Sequence, residues 1–375
     1  MIYLDNAATT QPDKRVLGRV FDYMQGNCGN SESLHQLGRR ASDELEKARH
    51  EVADYFHCKP KQIIFTSGAS ESNSTVLSRY FDYGYTHFFT TEIEHKSILN
   101  ACKFMDDCVV VDYATVDKNG ILDMKKFKKD FDIFYDFVSV QHVNNEIGTI
   151  QPIEKVLKLC KRNNTTFHTD ATQAVGSIPI DLRKLDVDYM SFSSHKIHGI
   201  QGSGVLYAKA PETLSPLIFG GGQEFGKRGG TVNVAGAIAT AEALKILKSE
   251  MEQDNKRIKE MRDYFITEVE RRIPCAELNG SREHRIVGNA NFCFHGIDGE
   301  SLLLALDQKG ICVSSGSACN AKDIQPSHVL LAIGRTKQEA NSSVRFSIGK
   351  YNTMEEIKYT VDSLVEIVER LNNGI

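Results

Sequence analysis

The feature that most constrains the fold of this chain is an alternation, through its first two thirds, of short apolar runs with helical patterns. β-Branched or aromatic runs recur at Gln62-Ile-Ile-Phe-Thr66, His87-Phe-Phe-Thr90, Asp132-Ile-Phe to Val140, Thr166-Phe-His168, Tyr189-Met-Ser-Phe192 and Gly204-Val-Leu-Tyr207. Each has the length of a strand, and helical spacing follows most of them. That order predicts an α/β fold with a mainly parallel sheet covered by helices on both faces.

Ligands in such sheets bind beyond the carboxyl ends of the strands. Here Thr66-Ser-Gly-Ala-Ser70, Thr91-Glu-Ile-Glu-His95, His142-Val-Asn-Asn145, His168-Thr-Asp170 and Ser193-Ser-His-Lys196 each follow a strand signal. From about Ala237 to Arg272 a long helical stretch, apolar at Leu244, Leu247, Met251, Ile258, Met261, Phe265 and Val269, leads to a second lobe. Strand and helix signals resume at Asn289–Phe294, Ser301–Ala305, Ile311–Val313 and Val344–Ile348, and a last helix opens with Thr353 and Glu356 in capping-box spacing.

A net charge of −4 over 375 residues gives no global reason to expect nucleic acid or an acidic membrane as a partner. The start lacks the regions of a signal peptide, and no uncharged apolar run is long enough to span a bilayer, so a cytoplasmic protein is expected. The nine cysteines include no Cys-x-x-Cys pair, which argues against a disulfide framework or a zinc knuckle.

Lys196 lies between two apolar strands, where a partly desolvated amine can form a Schiff base, although a lysine beside a Gly-rich turn is more often a solvated surface charge. Gly199-x-x-Gly202-x-Gly204 is not the dinucleotide fingerprint, which disfavours NAD. Asp170 ends a strand, where a carboxylate can keep a pyridine nitrogen protonated or simply cap a helix. Thr66 to Asn73 joins a strand to a helix and can hold a phosphate at the helix's positive end, or form an ordinary turn. His95 can stack on an aromatic ring or move protons; the plainer reading is a surface histidine. Cys319 follows a strand in a small, polar segment suited to a thiol that travels, or is just a small loop residue; Cys28, in Gly26-Asn-Cys-Gly-Asn30, is the second-choice thiol. Arg345 can fork onto a carboxylate or pair inside the protein. His195-x-x-His198 has metal-ligand spacing but no clustered third ligand, and no metal is expected.

Taken in order, these segments resemble the NifS/IscS-type cysteine desulfurases of the class V aminotransferase group. The resemblance is carried by Tyr3-Leu-Asp-Asn-Ala-Ala-Thr-Thr10, Thr66-Ser-Gly-Ala-Ser-Glu-Ser72, Thr91-Glu-Ile-Glu-His95, His142-Val-Asn-Asn-Glu-Ile-Gly148, Asp170-Ala-Thr-Gln173, Ser191-Phe-Ser-Ser-His-Lys196, Gly220-Gly-Gly-Gln-Glu224 with Arg228-Gly-Gly-Thr231, and Ser314-Ser-Gly-Ser-Ala-Cys319. It implies the fold type I architecture of pyridoxal 5'-phosphate (PLP) enzymes, with a seven-stranded large domain over residues 13–245 and a smaller α+β domain from residues 1–12 and 246–375 that carries the Cys319 loop.

The resemblance further implies that Lys196 binds PLP covalently, Asp170 pairs with its ring nitrogen, and His95 stacks on the ring and shuttles protons. Ala69, Ser70, Ser193 and His195 would hold the phosphate, with Thr231 supplied by the other subunit of a homodimer; Gln173 would meet the ring hydroxyl. Asn145, at both cofactor and substrate, with Asn30 and Arg345, would hold the substrate's carboxylate side. Free L-cysteine would give L-alanine and a persulfide on Cys319, bound for an acceptor protein: an iron-sulfur scaffold, a tRNA-thiolation enzyme or a DNA-phosphorothioation system. No direct nucleic-acid binding is expected.

The sequence departs from the family pattern in several places. A proline usual after Gly-Asn is missing before Ser31, Ser194 replaces a common glycine, and Ser70 stands where threonine is frequent. The chain stops at Ile375 without the longer tail by which housekeeping members engage their scaffold, while the segment after Cys319 is of the long type. The rival readings are a selenocysteine lyase, a true aminotransferase and a non-catalytic sulfur-handling subunit.

Overall fold

The computed structural model describes residues 1–78, 84–105, 109–131, 134–315 and 325–373. A seven-stranded sheet forms the larger layer, from β2 (Ile63–Thr66), β3 (His87–Thr91), β4 (Val110–Ala114), β5 (Phe137–Ser139), β6 (Thr166–Asp170), β7 (Tyr189–Ser193) and β8 (Gly204–Ala208), in the order β2-β8-β7-β6-β5-β3-β4. The strands from β7 through β4 pair in parallel, while β8 runs against both its neighbours. β2, antiparallel to an antiparallel strand, therefore points the same way as β7. The carboxyl ends of β2, β3, β5, β6 and β7 accordingly share one edge, which gathers the segments singled out above.

Three details differ from the expectations. β4 had no clear signal, because Val-Val-Asp-Tyr-Ala is short and, on the sheet's edge, largely open to solvent. β8 is reversed, since the ten residues between Ser193 and Gly204 are fewer than a parallel crossover needs. The run read from Asp132 is a strand only over Phe137–Ser139, and residues 132–133 lie outside the described set.

The core of this layer is apolar on both faces of the sheet, with Phe65, Phe89, Val138, Phe167, Met190, Phe192 and Val205 buried on one and Ile64, Phe88, Phe137, Tyr189 and Leu206 on the other. A second core surrounds a four-stranded antiparallel sheet in the order β12-β13-β10-β9, from β9 (Ala276–Leu278), β10 (Asn289–Phe294), β12 (Ser314–Ser315) and β13 (Ser343–Ser347); Phe265, Phe292, Phe346, Leu302 and Leu364 fill it. The Val234–Arg272 helix spans both, burying Ala237, Ile238 and Leu244 in the first core and Met261, Phe265 and Val269 in the second. Its 39 residues measure about 58 Å at the usual helical rise. The chain's start returns to the second core: β1 (Ile2–Tyr3) pairs in parallel with β11 (Ile311–Cys312).

One buried ion pair fixes the loop that carries Thr231. Arg49 and Glu224 are both nearly inaccessible and meet in a bidentate pair, with Nη1 and Nη2 each 2.8 Å from a carboxylate oxygen. Glu224 also accepts from the Phe65 amide, and the guanidinium lies over the rings of Phe65 and Phe225. Glu224 has φ 50° and Phe225 φ 57°, a left-handed conformation unfavourable for L side chains, so the pair must hold this backbone in place. Glu224→Ala leaves buried Arg49 with the partly exposed Glu46 as its remaining carboxylate partner, 3.0 Å from Nε, and is expected to destabilise the fold by about 2–3 kcal/mol, read as a lower midpoint in urea unfolding.

Candidate active site

The key side chains of the larger layer reach the shared edge because they end a strand, as Asp170 and Ser193 do, or lie within the few residues that follow one, as Ser70, His95, His195 and Lys196 do. Asp170 ends β6 and is buried. Its Oδ1 accepts from the Thr172 amide at 2.9 Å and its Oδ2 from Asn73 Nδ2 at 2.8 Å, both neutral donors. Among the described residues no helix lies between Asp170 and β7, so the capping reading is not realised: one oxygen closes a turn onto Thr172, and the second faces the helix that begins after β2. That helix, Ala69–Leu77, starts from Gly68, which takes φ 159°. Gly204 permits the approach behind it, because a Cβ there would lie 2.5 Å from the Gly68 Cα.

The amides of the helix's first turn have no intrahelical acceptor. Ala69 donates its own to Ser193 Oγ at 2.8 Å, which leaves exposed Ser70 at the positive end. His195 stands beside Lys196 with Nδ1 3.1 Å from Thr9 Oγ1, and burial, helped by the Lys196 charge, lowers its pKa to about 4. It is therefore neutral near pH 7 and has an N–H to offer an anion.

Lys196 Nζ donates to the carbonyls of Ala7 and Ala8, the second at 2.6 Å. Gln173 Nε2 shares the Ala7 carbonyl at 3.0 Å. His95, in the turn after β3, receives the Ser97 amide on Nδ1 at 3.1 Å, with Ser97 Oγ 2.8 Å from the same nitrogen. His95 is an exposed residue; desolvation lowers its pKa, opposed by Asp170 and reinforced by Lys196 and Lys96. Glu94 underneath is fully buried, accepts from Thr91 Oγ1 and the Gln141 amide, and is pushed up to about 8 by burial.

The second lobe contributes Arg345 from β13, buried, with Nη1 donating to the Asn145 carbonyl at 2.9 Å and Nη2 to Asp5 Oδ1 at 2.7 Å. The internal-pair reading of Arg345 is therefore partly realised, while its buried Nε has no partner among the described residues. Asn145 is half-buried. Asn30 is not drawn in: it sits in an exposed loop, where its side chain accepts from the Glu32 amide. Thr231 is exposed on the surface, and Cys28 is exposed in the same loop as Asn30. Cys319 lies outside the described residues. A crevice of about 650 Å³ between the lobes is lined by Lys196 and Gln173 but by neither Asp170 nor His95.

Sequence reasoning missed the organising role of the segment from Asp5 to Thr10. It binds Arg345 through Asp5, Ser347 Oγ through the Ala7 amide, Lys196 through two carbonyls, and the His195 carbonyl through Thr10 Oγ1. Asn73 and Ser97 were missed as well. All stand inside or next to the quoted motifs, the only signal that pointed to them.

The donor set suits one kind of ligand. A helix terminus with hydroxyls and a neutral imidazole fits a phosphate, an amine nearby fits a carbonyl carbon, and an exposed imidazole face fits a flat ring. A buried carboxylate whose bonds come from neutral groups fits a cationic ring N–H. PLP carries all four features.

Such a site on such a sheet defines the fold type I class of PLP-dependent transferases. The family model described as aminotransferase class-V matches residues 2–360. The chain is 41% identical over 374 residues to the cysteine desulfurase IscS of Dictyoglomus turgidum, covering 99% of this chain and 95% of that one. Among solved structures, a NifS-like protein superposes with a TM-score of 0.91 at 36% identity, covering 99% of this chain and all of the other. SspA, solved in complex with cysteine, superposes with a TM-score of 0.82 at 30% identity over 94% of this chain and all of the other. The chain belongs to the class V aminotransferase family and, within it, to the cysteine desulfurases.

Proposed function

We propose that this protein removes sulfur from L-cysteine, releases L-alanine and passes the sulfur from a Cys319 persulfide to an acceptor protein. The observation that carries the reading is the convergence of Asp170, tied through Asn73 to the Ala69–Leu77 helix, and of Lys196 on the edge where His95 stands, with Arg345 bound to the Asn145 carbonyl. PLP, when bound, supplies the electron sink for charge developing at the substrate Cα. Ser70, Ser193 and His195, with the Ala69 amide region, hold its phosphate, Gln173 its ring hydroxyl, and Asp170 keeps its ring nitrogen protonated. His95 covers the ring face.

Arg345 and Asn145 hold the substrate carboxylate, and Asn30 closes over it from its loop. Lys196 Nζ takes the proton from Cα. The Cys319 thiolate then attacks the substrate sulfur: an S–S bond forms, the Cβ–S bond breaks, and the released electron pair is protonated to give alanine. No external oxidant is needed, because the carbon is reduced as the sulfur is oxidised.

Thr231 completes the phosphate site of a second copy. The exposed run of Leu217, Ile218 and Phe219 beside it, with Phe219 85% accessible, supports a homodimer through this face. No helix among the described residues is long and apolar enough to cross a membrane. Cys28, Cys58, Cys160, Cys275, Cys293 and Cys312 are free thiols, which suits a reducing compartment such as the cytoplasm.

The test is to incubate the purified, PLP-loaded protein with L-cysteine and a reducing thiol. Alanine and sulfide are expected in equal amounts. Pyruvate in place of alanine, or no product, overturns the assignment.

A further inference from the structure

A short chain of hydrogen bonds links the carboxylate below the site to the histidine above it. Asn73 Nδ2 donates to Asp170 Oδ2 at 2.8 Å and to Ser97 Oγ at 2.9 Å. The orientation of this amide is fixed chemically: turned over, its oxygen would face the Asp170 carboxylate, two acceptors with no proton between them. Ser97 Oγ thus receives an N–H from Asn73, and its own proton is free to go to His95 Nδ1 at 2.8 Å. The Ser97 amide points at the same nitrogen from 3.1 Å. Two donors converge on Nδ1, so this nitrogen carries no proton, and the neutral ring keeps its hydrogen on Nε2.

We infer that Ser97, oriented by Asn73, is a positioning residue that holds His95 neutral with its proton on Nε2, so that His95 offers the site a hydrogen-bond donor and not a base. The inference rests on the reading that the cofactor and L-cysteine occupy this edge. It goes further in assigning Ser97 and Asn73 a role and in fixing the tautomer of His95. The charged and titratable groups around the ring are Asp170 from β6, Lys196 beyond β7, Lys96 at the start of the next helix and His328 from the other lobe. Asp170 favours protonation of His95, while burial and the two lysines oppose it. All of these persist when the Ser97 hydroxyl is removed.

The experiment follows the His95 ring nitrogens by 15N NMR in holoenzyme labelled at histidine, with the signals assigned by their loss in His95→Gln. In the wild type, His95 is expected as the Nε2–H tautomer from pH 8 to pH 6. A donor to Nδ1 favours the unprotonated form, so Ser97→Ala is expected to raise the titration midpoint by about half a unit or more. The acid limb of kcat/KM should move to higher pH with it, and Ser97→Thr, which keeps the hydroxyl, should restore both. A proton on Nδ1 in the wild type at pH 7, or a midpoint unchanged in Ser97→Ala, overturns the inference. The titration is read without turnover, so failure of the desulfurase reading, seen as absent alanine, is a separate result.

Discussion

Lys196→Ala is expected to lower alanine formation from L-cysteine by about 10⁴-fold, the upper range for loss of a positioned acid–base group. On the proposed mechanism the variant loses two functions of one nitrogen: the bond that would place PLP, and transfer of the Cα proton. The fold should tolerate the change. Nζ is held by the carbonyls of Ala7 and Ala8, and the first keeps its bond from Gln173 after the lysine is gone. Unfolding midpoints are therefore expected to match, while borohydride reduction attaches the cofactor to the wild-type chain and not to the variant. A variant that folds, retains more than about a tenth of the activity and still traps the cofactor would place the chemistry on another amine.

The parts of the site legible in the sequence are those set by local geometry. In a β–α unit the residue at a strand's carboxyl end lies at the ligand edge, so finding strands also found Asp170, His95 and Lys196. What escaped depends on contacts that periodicity does not record. Asp5 and Arg345 are separated by 340 positions, and nothing in either segment marks the other as its partner. Asn73 and Ser97 are short polar residues near the starts of two helices, where capping is the default reading; only the fold places the Asn73 amide between a carboxylate and a hydroxyl. The reversed β8 was within reach, because ten residues cannot make a helical crossover. The edge strand β4 was not, since a half-exposed strand containing Asp112 lacks the continuous apolar run of a central one.

Cys319→Ala is expected to cut both alanine and sulfide by about 10³-fold, the order seen when a positioned nucleophile is removed, while the visible absorbance of bound PLP stays at the wild-type level. The choice of this thiol is narrowed by the chemistry of six of the others. Burial pushes Cys58 and Cys160 up to about 12 and Cys293 to about 11, so at neutral pH they hold almost no thiolate. Cys312 is raised as well, and Cys102 is buried in the helix after His95. Cys28 is exposed, but its loop shares no hydrogen bond with Arg345, Lys196 or His95 among the described residues. Cys319 is four residues from Ser315, a reach of up to about 14 Å for an extended chain. The strand it leaves is in register with the substrate arginine, Ser314 lying opposite Arg345. Where the described chain resumes, Ser327 Oγ donates to Glu146, next to Asn145. The described residues on either side of the segment therefore lie opposite Arg345 and one residue away from Asn145, the two proposed to hold the substrate. Cys28→Ala is the matched control and should keep near wild-type rates. If Cys28→Ala is the inactive variant and Cys319→Ala the active one, the persulfide belongs on Cys28, and the exposed loop at residues 27–35 must reach the site in place of the Cys319 segment.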